Sequence, residues 1–345
     1  MDPAISRDEY RALRGEPRRW HDAIVAIAAR HGLGAAPVRP LGGSNLVASV
    51  GDTRIVKLFP PFLRYQWDSE RVALAVLHGA LALVVTPELL HVGELDGSPY
   101  LVMTRLEGSA LEDVWPGLAA AEQAQVLGQI GALIAQVHAL DPGPIAAICP
   151  RWDDFLAAQR AGCVARHARL GLPAPLLAEL DAYLDRVMPA IPRAIAPVIL
   201  TGEYTPANLL VTRRADRWQL TGLFDFGDVW CGAADYDLLG PATFLAAGDP
   251  IRLGALLAAR GHSPDELVPA LRDRLMALLL LHRHSDLDAQ LRIPDWRARA
   301  HSLAALAALV FPLPCDRSTG ADTAVPPRSA TAAGDNSMVP TPRRR

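Results

Sequence analysis

Four residues carry chemistry by type and spacing: Glu203, Asn208 five positions on, Asp225, and the single lysine of the chain, Lys57. Glu203, Asn208 and Asp225 are hard oxygen ligands or bases, suited to Mg²⁺ with substrate phosphates. Neither His nor Cys accompanies them, which argues against zinc. Of the 34 Lys and Arg residues, 33 are arginine, so the position of the one lysine is informative. Arg is a wide planar fork, whereas a compact ammonium reaches into a tight site. Lys57 lies in the apolar, strand-type run Arg54–Phe59, where a lone ammonium suggests an anion held nearby.

These groups need elements to hold them. Between Lys57 and Glu88 the acidic residues are Asp68 and Glu70. Glu70 shares a helix face with Leu74 and Leu77, which should pack toward the Lys57 strand, so it is the better partner for the ammonium. The alternative is a solvated first-turn Glu favoured by the helix dipole. Upstream, Gly42-Gly43-Ser44-Asn45 joins two expected strands, and its glycines let backbone N–H groups approach an anion. Downstream, the β-type run Val198–Leu200 leads into Thr201–Asn208, and a second run, Leu220–Phe224, ends in Asp225-Phe226-Gly227-Asp228. Each run delivers polar ligands at a turn.

The remaining pattern is helical around these pieces. Helix is expected over about Arg7–His31, Asp68–His78, Gly108–Ala139, from near Trp152, over Leu176–Val187, and over Ala233–Val310 with breaks at Gly248-Asp249-Pro250 and Gly261–Pro264. Strands are expected in Val38–Phe59, Pro87–Arg105 with a turn at Gly97-Ser98, and Val198–Phe226. The fold class is therefore α+β in two lobes. The small β-rich N-terminal lobe covers residues 1–104, the larger helical lobe covers 105–311, and the Pro/Ser/Thr/Ala-rich segment 312–345 reads as a disordered tail.

Composition narrows the class. A formal net charge of -3 offers no basic face for nucleic acid. Cys149, Cys163, Cys231 and Cys315 are scattered without Cys-x-x-Cys spacing and read as free thiols of a reducing compartment. No stretch is apolar enough for a signal peptide or a bilayer span, so a cytoplasmic protein without membrane partners is expected.

Val56-Lys57-Leu58-Phe59, Tyr100-Leu101-Val102-Met103, Asn208–Val211 and Leu223–Val229 together resemble the aminoglycoside phosphotransferase family, small-molecule kinases of protein-kinase-like fold. The similarity runs from Lys57 to Gly240, and from about Pro40 more loosely. Within the family the chain looks closest to hygromycin B phosphotransferases. The resemblance implies transfer of the γ-phosphate of ATP (or GTP), with Mg²⁺, to a hydroxyl of a cationic small molecule. Lys57 would bind phosphates and Glu70 would orient it. Met103 and Thr104 would form the adenine hinge. Asn208 and Asp225 would hold Mg²⁺, and Glu203 would be the base.

The family's His-Gly-Asp is here Thr201-Gly202-Glu203. The extra methylene moves the carboxylate by roughly 1 Å, a displacement that can cost about a hundredfold in rate. A kinase of another alcohol (sugar or choline-like) and a nucleotide-binding pseudokinase are the alternatives. Nine residues separate Asp225 from Asp235, too few for a protein kinase's activation loop, which favours a small acceptor. Asp235 and Asp237 are expected to support the catalytic loop, although Asp237 could equally cap a helix. Asp153, Asp154, Asp228, Asp286 and Asp288 are available to form an acidic cleft for a cationic acceptor, while His282 and His284 receive no role.

Overall fold

The computed structural model describes residues 5–34, 36–191, 196–202 and 204–313. Most of the expected tail, 314–345, lies outside the described residues. Leu313 is buried, so ordered packing reaches two residues past the expected boundary at 311.

The N-terminal part contains α1 (Arg7–Arg14), α2 (His21–Arg30), β1 (Val38–Leu41), β2 (Leu46–Val50), β3 (Arg54–Leu58), α3 (Arg64–Leu77), β4 (Leu89–Leu95) and β5 (Ser98–Thr104). Its antiparallel sheet has the order β1-β2-β3-β5-β4. The single helix expected over Arg7–His31 is two, interrupted at Gly15-Glu16-Pro17, where proline supplies no amide to continue the first helix. Between β4 and β5, Asp96 and Gly97 both have positive φ, as a tight two-residue hairpin requires.

Period-two alternation sorts the two faces of this sheet. Val56 and Leu58 of β3, with Tyr100 and Val102 of β5, pack with Ile24 and Ile27 of α2. Phe59, Leu101 and Met103 belong instead to the core shared with Leu74 and Leu77 of α3 and with the helical part. Lys57 pairs across the sheet with Val47 and Leu101, so its side chain leaves on that second face.

The second part contains β6 (Ser109–Ala110), α4 (Leu111–Val114), α5 (Ala120–His138), α6 (Gly143–Ala146), α7 (Trp152–Arg169), α8 (Ala174–Val187), β7 (Val198–Leu200), β8 (Leu209–Arg214), β9 (Arg217–Leu223) and β10 (Trp230–Gly232). It closes with α9 (Pro250–Arg260), α10 (Pro269–Leu281), α11 (Leu287–Gln290), α12 (Trp296–Arg299) and α13 (Leu303–Val310). The expected strand patch is present as β7–β9, with β6 added to it and β10 paired antiparallel to β7. The helix-rich stretch 233–310 is broken further than expected. Prolines at 250, 264, 269 and 294 each mark the start or edge of a short segment. Helices α5 and α9 pack closely enough at Gly131 that a Cβ there would lie 2.3 Å from the Leu256 carbonyl oxygen.

Candidate active site

Lys57 is the hub. Its Nζ donates to Glu70 Oε2 at 2.6 Å and to Asp225 Oδ1 at 2.8 Å. Lys57 is 5% exposed and Glu70 1%, which settles the choice between a buried and a solvated Glu70. The buried positions of α3 are Gln66, Glu70, Ala73, Leu74 and Leu77, one helical stripe that turns Glu70 and Gln66 inward together. The Trp67 indole N–H bonds the Tyr100 carbonyl at 3.0 Å and pins the helix to β5.

Burial opposes the charge on Lys57, but the Asp225 and Glu70 carboxylates outweigh it and hold the ammonium well above the usual lysine range. Burial also pushes the Glu70 carboxyl up to about 7, against the pull of Lys57 and with a smaller push from Asp225. The Phe226 amide donates to Glu70, so α3 is tied to Asp225-Phe226-Gly227 as well as to β3.

Asn208 and Asp225 meet at one end of the β8–β9 ladder. Leu209 pairs with Leu223, and the Phe224 amide donates to the Asn208 carbonyl at 3.2 Å. Asp225 then takes a left-handed conformation (φ 67°), which L-residues other than Asn and Asp rarely tolerate, and its carboxylate reaches Lys57. Asn208 is nearly buried, while a third of the Asp225 side chain stays exposed. One carboxylate and one carboxamide, all hard oxygens with open space on the Asp225 side, fit Mg²⁺ that shares its coordination with phosphate.

Glu203 lies outside the described residues, but the loop leading to it is held from behind. Asp237, buried, accepts the Gly202 N–H at 2.8 Å (Oδ1) and the Thr201 N–H at 3.2 Å (Oδ2), and also contacts His138 Nε2 at 2.9 Å. Asp237 therefore supports the loop. Asp235 does not reach it, and pairs with Arg274 and His262 instead. His138, at the end of α5, carries no local sequence signal, because its partner is 99 positions away.

The Gly42–Asn45 turn joins β1 to β2, with Gly43 at φ 136°. Asn45 is buried and donates to Gln66 Oε1 at 3.3 Å, and Gln66 Nε2 donates to Asp228 Oδ1 at 3.4 Å. Met103 is buried on the Lys57 face of β5. The Thr104 hydroxyl accepts the Glu88 N–H at 2.8 Å, which fixes the end of β5.

The acceptor residues need correction. Of the five aspartates, only Asp228 lines the small pocket that borders Gly202, a cavity of about 10 Å³ walled by Trp152, Phe155, Trp230 and Tyr236. There it is already paired, with Arg283 Nη1 at 2.8 Å and His284 Nε2 at 3.1 Å. Asp153 lines a neighbouring cavity with Cys149 and Cys231. Asp286 caps α11 by accepting the Ala289 N–H, and Asp288 pairs with Arg297; both line another cavity. Asp154 lies exposed in the first turn of α7. Asp286 and Asp288 satisfy local structure, and none of the four joins Asp228 in an acidic cleft. The aromatic walls come from α7, β10 and the segment after it, and were not legible as a set.

A family model described as APH, phosphotransferase enzyme family, matches residues 37–278. Among solved structures, the GDP complex of wild-type aminoglycoside 2'-phosphotransferase-IIIa is 18% identical with a TM-score of 0.63, covering 85% of this chain and 98% of its own. The streptomycin–ATP complex of APH(2")-IIa is 15% identical with a TM-score of 0.57, covering 78% and 96%. The macrolide 2'-phosphotransferase MphH from Brachybacterium faecium, an apoenzyme, is 21% identical with a TM-score of 0.53, covering 90% and 100%. At these identities the structures establish the fold, and the match over more than half of the chain establishes the family. No helix among the described residues is long and apolar enough to cross a membrane. The chain belongs to the APH phosphotransferase enzyme family and has the two-lobe, kinase-like fold of its structural neighbours.

Proposed function

We propose that the protein transfers the γ-phosphate of ATP or GTP, with Mg²⁺, to a hydroxyl of an antibiotic-type small molecule. The observation that carries this is the buried Lys57, bonded at once to Glu70 and to Asp225. Glu70 orients the ammonium toward the nucleotide phosphates. Asn208 and Asp225 would hold Mg²⁺, which neutralises phosphate charge when bound. Glu203 accepts the proton of the attacking hydroxyl as the oxygen–phosphorus bond forms and the diphosphate leaves. Asp237 fixes the backbone just before Glu203, and in a reaction governed by positioning that support counts as much as basicity.

The sequence resemblance suggests an aminoglycoside acceptor, hygromycin B being its candidate, and the streptomycin bound by one structural neighbour supports the broader class. A second neighbour is a macrolide phosphotransferase. The test is nucleotide consumption by purified protein against a panel of both classes, with Glu203→Gln alongside. Turnover with one acceptor, reduced in Glu203→Gln while nucleotide binding is kept, supports the assignment. An unchanged rate in Glu203→Gln removes it as base, and nucleotide binding without any turnover would leave a binding-only relative.

A further inference from the structure

Two cysteines far apart in sequence lie together in the fold. Cys149 follows α6, and Cys231 is the middle residue of β10. Both line a cavity of about 270 Å³ with Arg151, Trp152 and Asp153. The Cys231 thiol and the Cys231 backbone N–H both donate to the Cys149 sulfur. When protonated, the Cys149 thiol reaches the Val229 carbonyl oxygen, 3.9 Å away. The packing around them is close: a Cβ at Gly232 would stand 2.3 Å from the Trp152 ring. The loop before α7 and β10 therefore meet in one seam, with both sulfurs in it.

The two sulfurs differ in access and in charge. Cys231 is 5% exposed, whereas Cys149 is half-buried and open to the cavity. The hydrogen bond from the Cys231 thiol lowers the Cys149 thiol from its ordinary range; burial opposes this, and the Cys231 N–H and the Arg283 guanidinium reinforce it. The same thiol contact, together with burial, pushes Cys231 up. An accessible thiol favoured as thiolate beside a second thiol is the arrangement of an oxidisable cysteine with a resolving partner. Cys163 is the contrast, because it is fully buried, donates to the Leu280 carbonyl at 3.4 Å, and is pushed up by burial. Among the described residues no group of three His, Cys, Asp or Glu side chains is placed to hold a metal, so the pair is not part of such a cluster.

We propose that Cys149 and Cys231 form an oxidation site for a small peroxide, and that their disulfide slows the active site. The Cys149 thiolate attacks one peroxide oxygen and the O–O bond breaks, giving Cys149 sulfenic acid and, after protonation, water. The Cys231 sulfur then attacks the Cys149 sulfur, the S–O bond breaks, and hydroxide leaves with the Cys231 proton as a second water. Two thiols are thus oxidised to one disulfide while one peroxide is reduced to two waters. A disulfide holds its sulfurs about 2 Å apart, closer than a thiol–thiol hydrogen bond, so the bond draws the loop before α7 onto β10. β10 begins two residues after Asp228, which receives Gln66, and Gln66 receives Asn45 of the glycine turn. The closure therefore pulls on the segment that runs back to Asp225.

The test treats the reduced full chain with hydrogen peroxide and reads the cysteines by peptide mapping with mass spectrometry. A Cys149–Cys231 linkage is expected, reversed by dithiothreitol, with Cys163 still reduced. Cys231→Ser stops at the sulfenic acid, which dimedone traps at Cys149, and Cys149→Ser forms no sulfenic acid at Cys231. The linked wild type loses about tenfold or more in kcat while keeping its nucleotide affinity, because displacements on the order of 1 Å near the chemistry cost rate. Cys149→Ser keeps the turnover of the reduced protein in peroxide. The turnover readouts rest on the phosphotransferase reading, whereas the linkage does not.

A sulfenic acid that persists at Cys149 in wild type overturns the proposal, as does oxidation of Cys163 at the same rate or a linkage of Cys149 to Cys315. Linkage with unchanged kcat overturns its effect on the active site. A reduced protein that turns over no acceptor refutes the phosphotransferase reading, and the mapping still decides the oxidation site. If Cys231→Ser fails to fold, phenylarsine oxide on wild type makes the same test. Its trivalent arsenic bonds two thiols held together, with loss of one water, and must protect both Cys149 and Cys231 from peroxide; failure to bind them refutes the pair.

Discussion

Replacing Lys57 by Met should make the stability deficit of the variant depend on pH. In the wild type Glu70 ionises at about 7, because burial raises its carboxyl and Lys57 opposes the rise. Without the ammonium, a carboxyl that is 1% exposed is left in the interior beside the Asp225 carboxylate and the Phe226 amide. Fully buried glutamates reach about 8–9. A carboxyl raised in the native state binds its proton more tightly there than in the unfolded chain, so stability falls as pH rises through the window between the unfolded and folded values. Below about pH 6 both proteins carry a largely protonated Glu70, and the two curves run together. Above pH 7 the wild-type curve flattens while that of the variant keeps falling, by about 1.4 kcal/mol per pH unit. Between pH 6 and pH 9 the gap widens by about 1–3 kcal/mol, which is roughly 2–6 °C in Tm at roughly 2 °C per kcal/mol. Thermal unfolding of both proteins across that range measures it, and groups unaffected by the substitution cancel in the difference. Glu70→Gln placed in the Lys57→Met background should remove the widening. A gap that does not change with pH, or one that persists in the double variant, refutes the burial-coupled pair.

Three further outcomes follow from the same geometry. Lys57→Arg should lower kcat by about 10²-fold or more, because a planar fork cannot place one nitrogen between carboxylates 2.6 and 2.8 Å away without displacing α3; wild-type kcat in this variant would undo the reading of the lone lysine. Asp237→Asn should cost about 1–3 kcal/mol in denaturant unfolding, since an amide oxygen can satisfy only one of the two loop N–H groups, and it should lower kcat more than nucleotide affinity. Gly131→Ala should destabilise by about 1–3 kcal/mol, because the new methyl would meet the Leu256 carbonyl of α9 at 2.3 Å; a neutral effect in the melting curve would show that the two helices separate freely.

Legibility followed the range of the interaction that decides each feature. Glu70 could be paired with Lys57 from sequence because both the strand period and the helix period are local, and they aim the two side chains at each other. Asn208 and Asp225 were legible because each ends a β-type run, and the two runs form one hairpin ladder. The start of α3 at Arg64 instead of Asp68 was less so: the helix is entered from a tight turn at Pro61–Leu63 that carries no periodic signal. The acidic cleft failed for a different reason. An aspartate in a sequence is simply a charge, and whether it is spent on a cap, as at Asp286, on a surface arginine, as at Asp288, or on a pocket, as at Asp228, depends on what the fold sets beside it.

Residue type and local period by themselves thus pointed to the two-lobe class, to the lone Lys57 with its carboxylate partner Glu70, and to Asn208 and Asp225, the residues proposed to hold the metal. The tertiary structure decided what surrounds them: Asp237 and His138 behind the loop, Gln66 between the glycine turn and Asp228, and Arg283 in an aromatic seat built from α7, β10 and the turn after α10. Those contacts join residues from 21 to 162 positions apart. No helical or strand period reaches so far, so such contacts exist only once the core has packed and fixed which surfaces face one another.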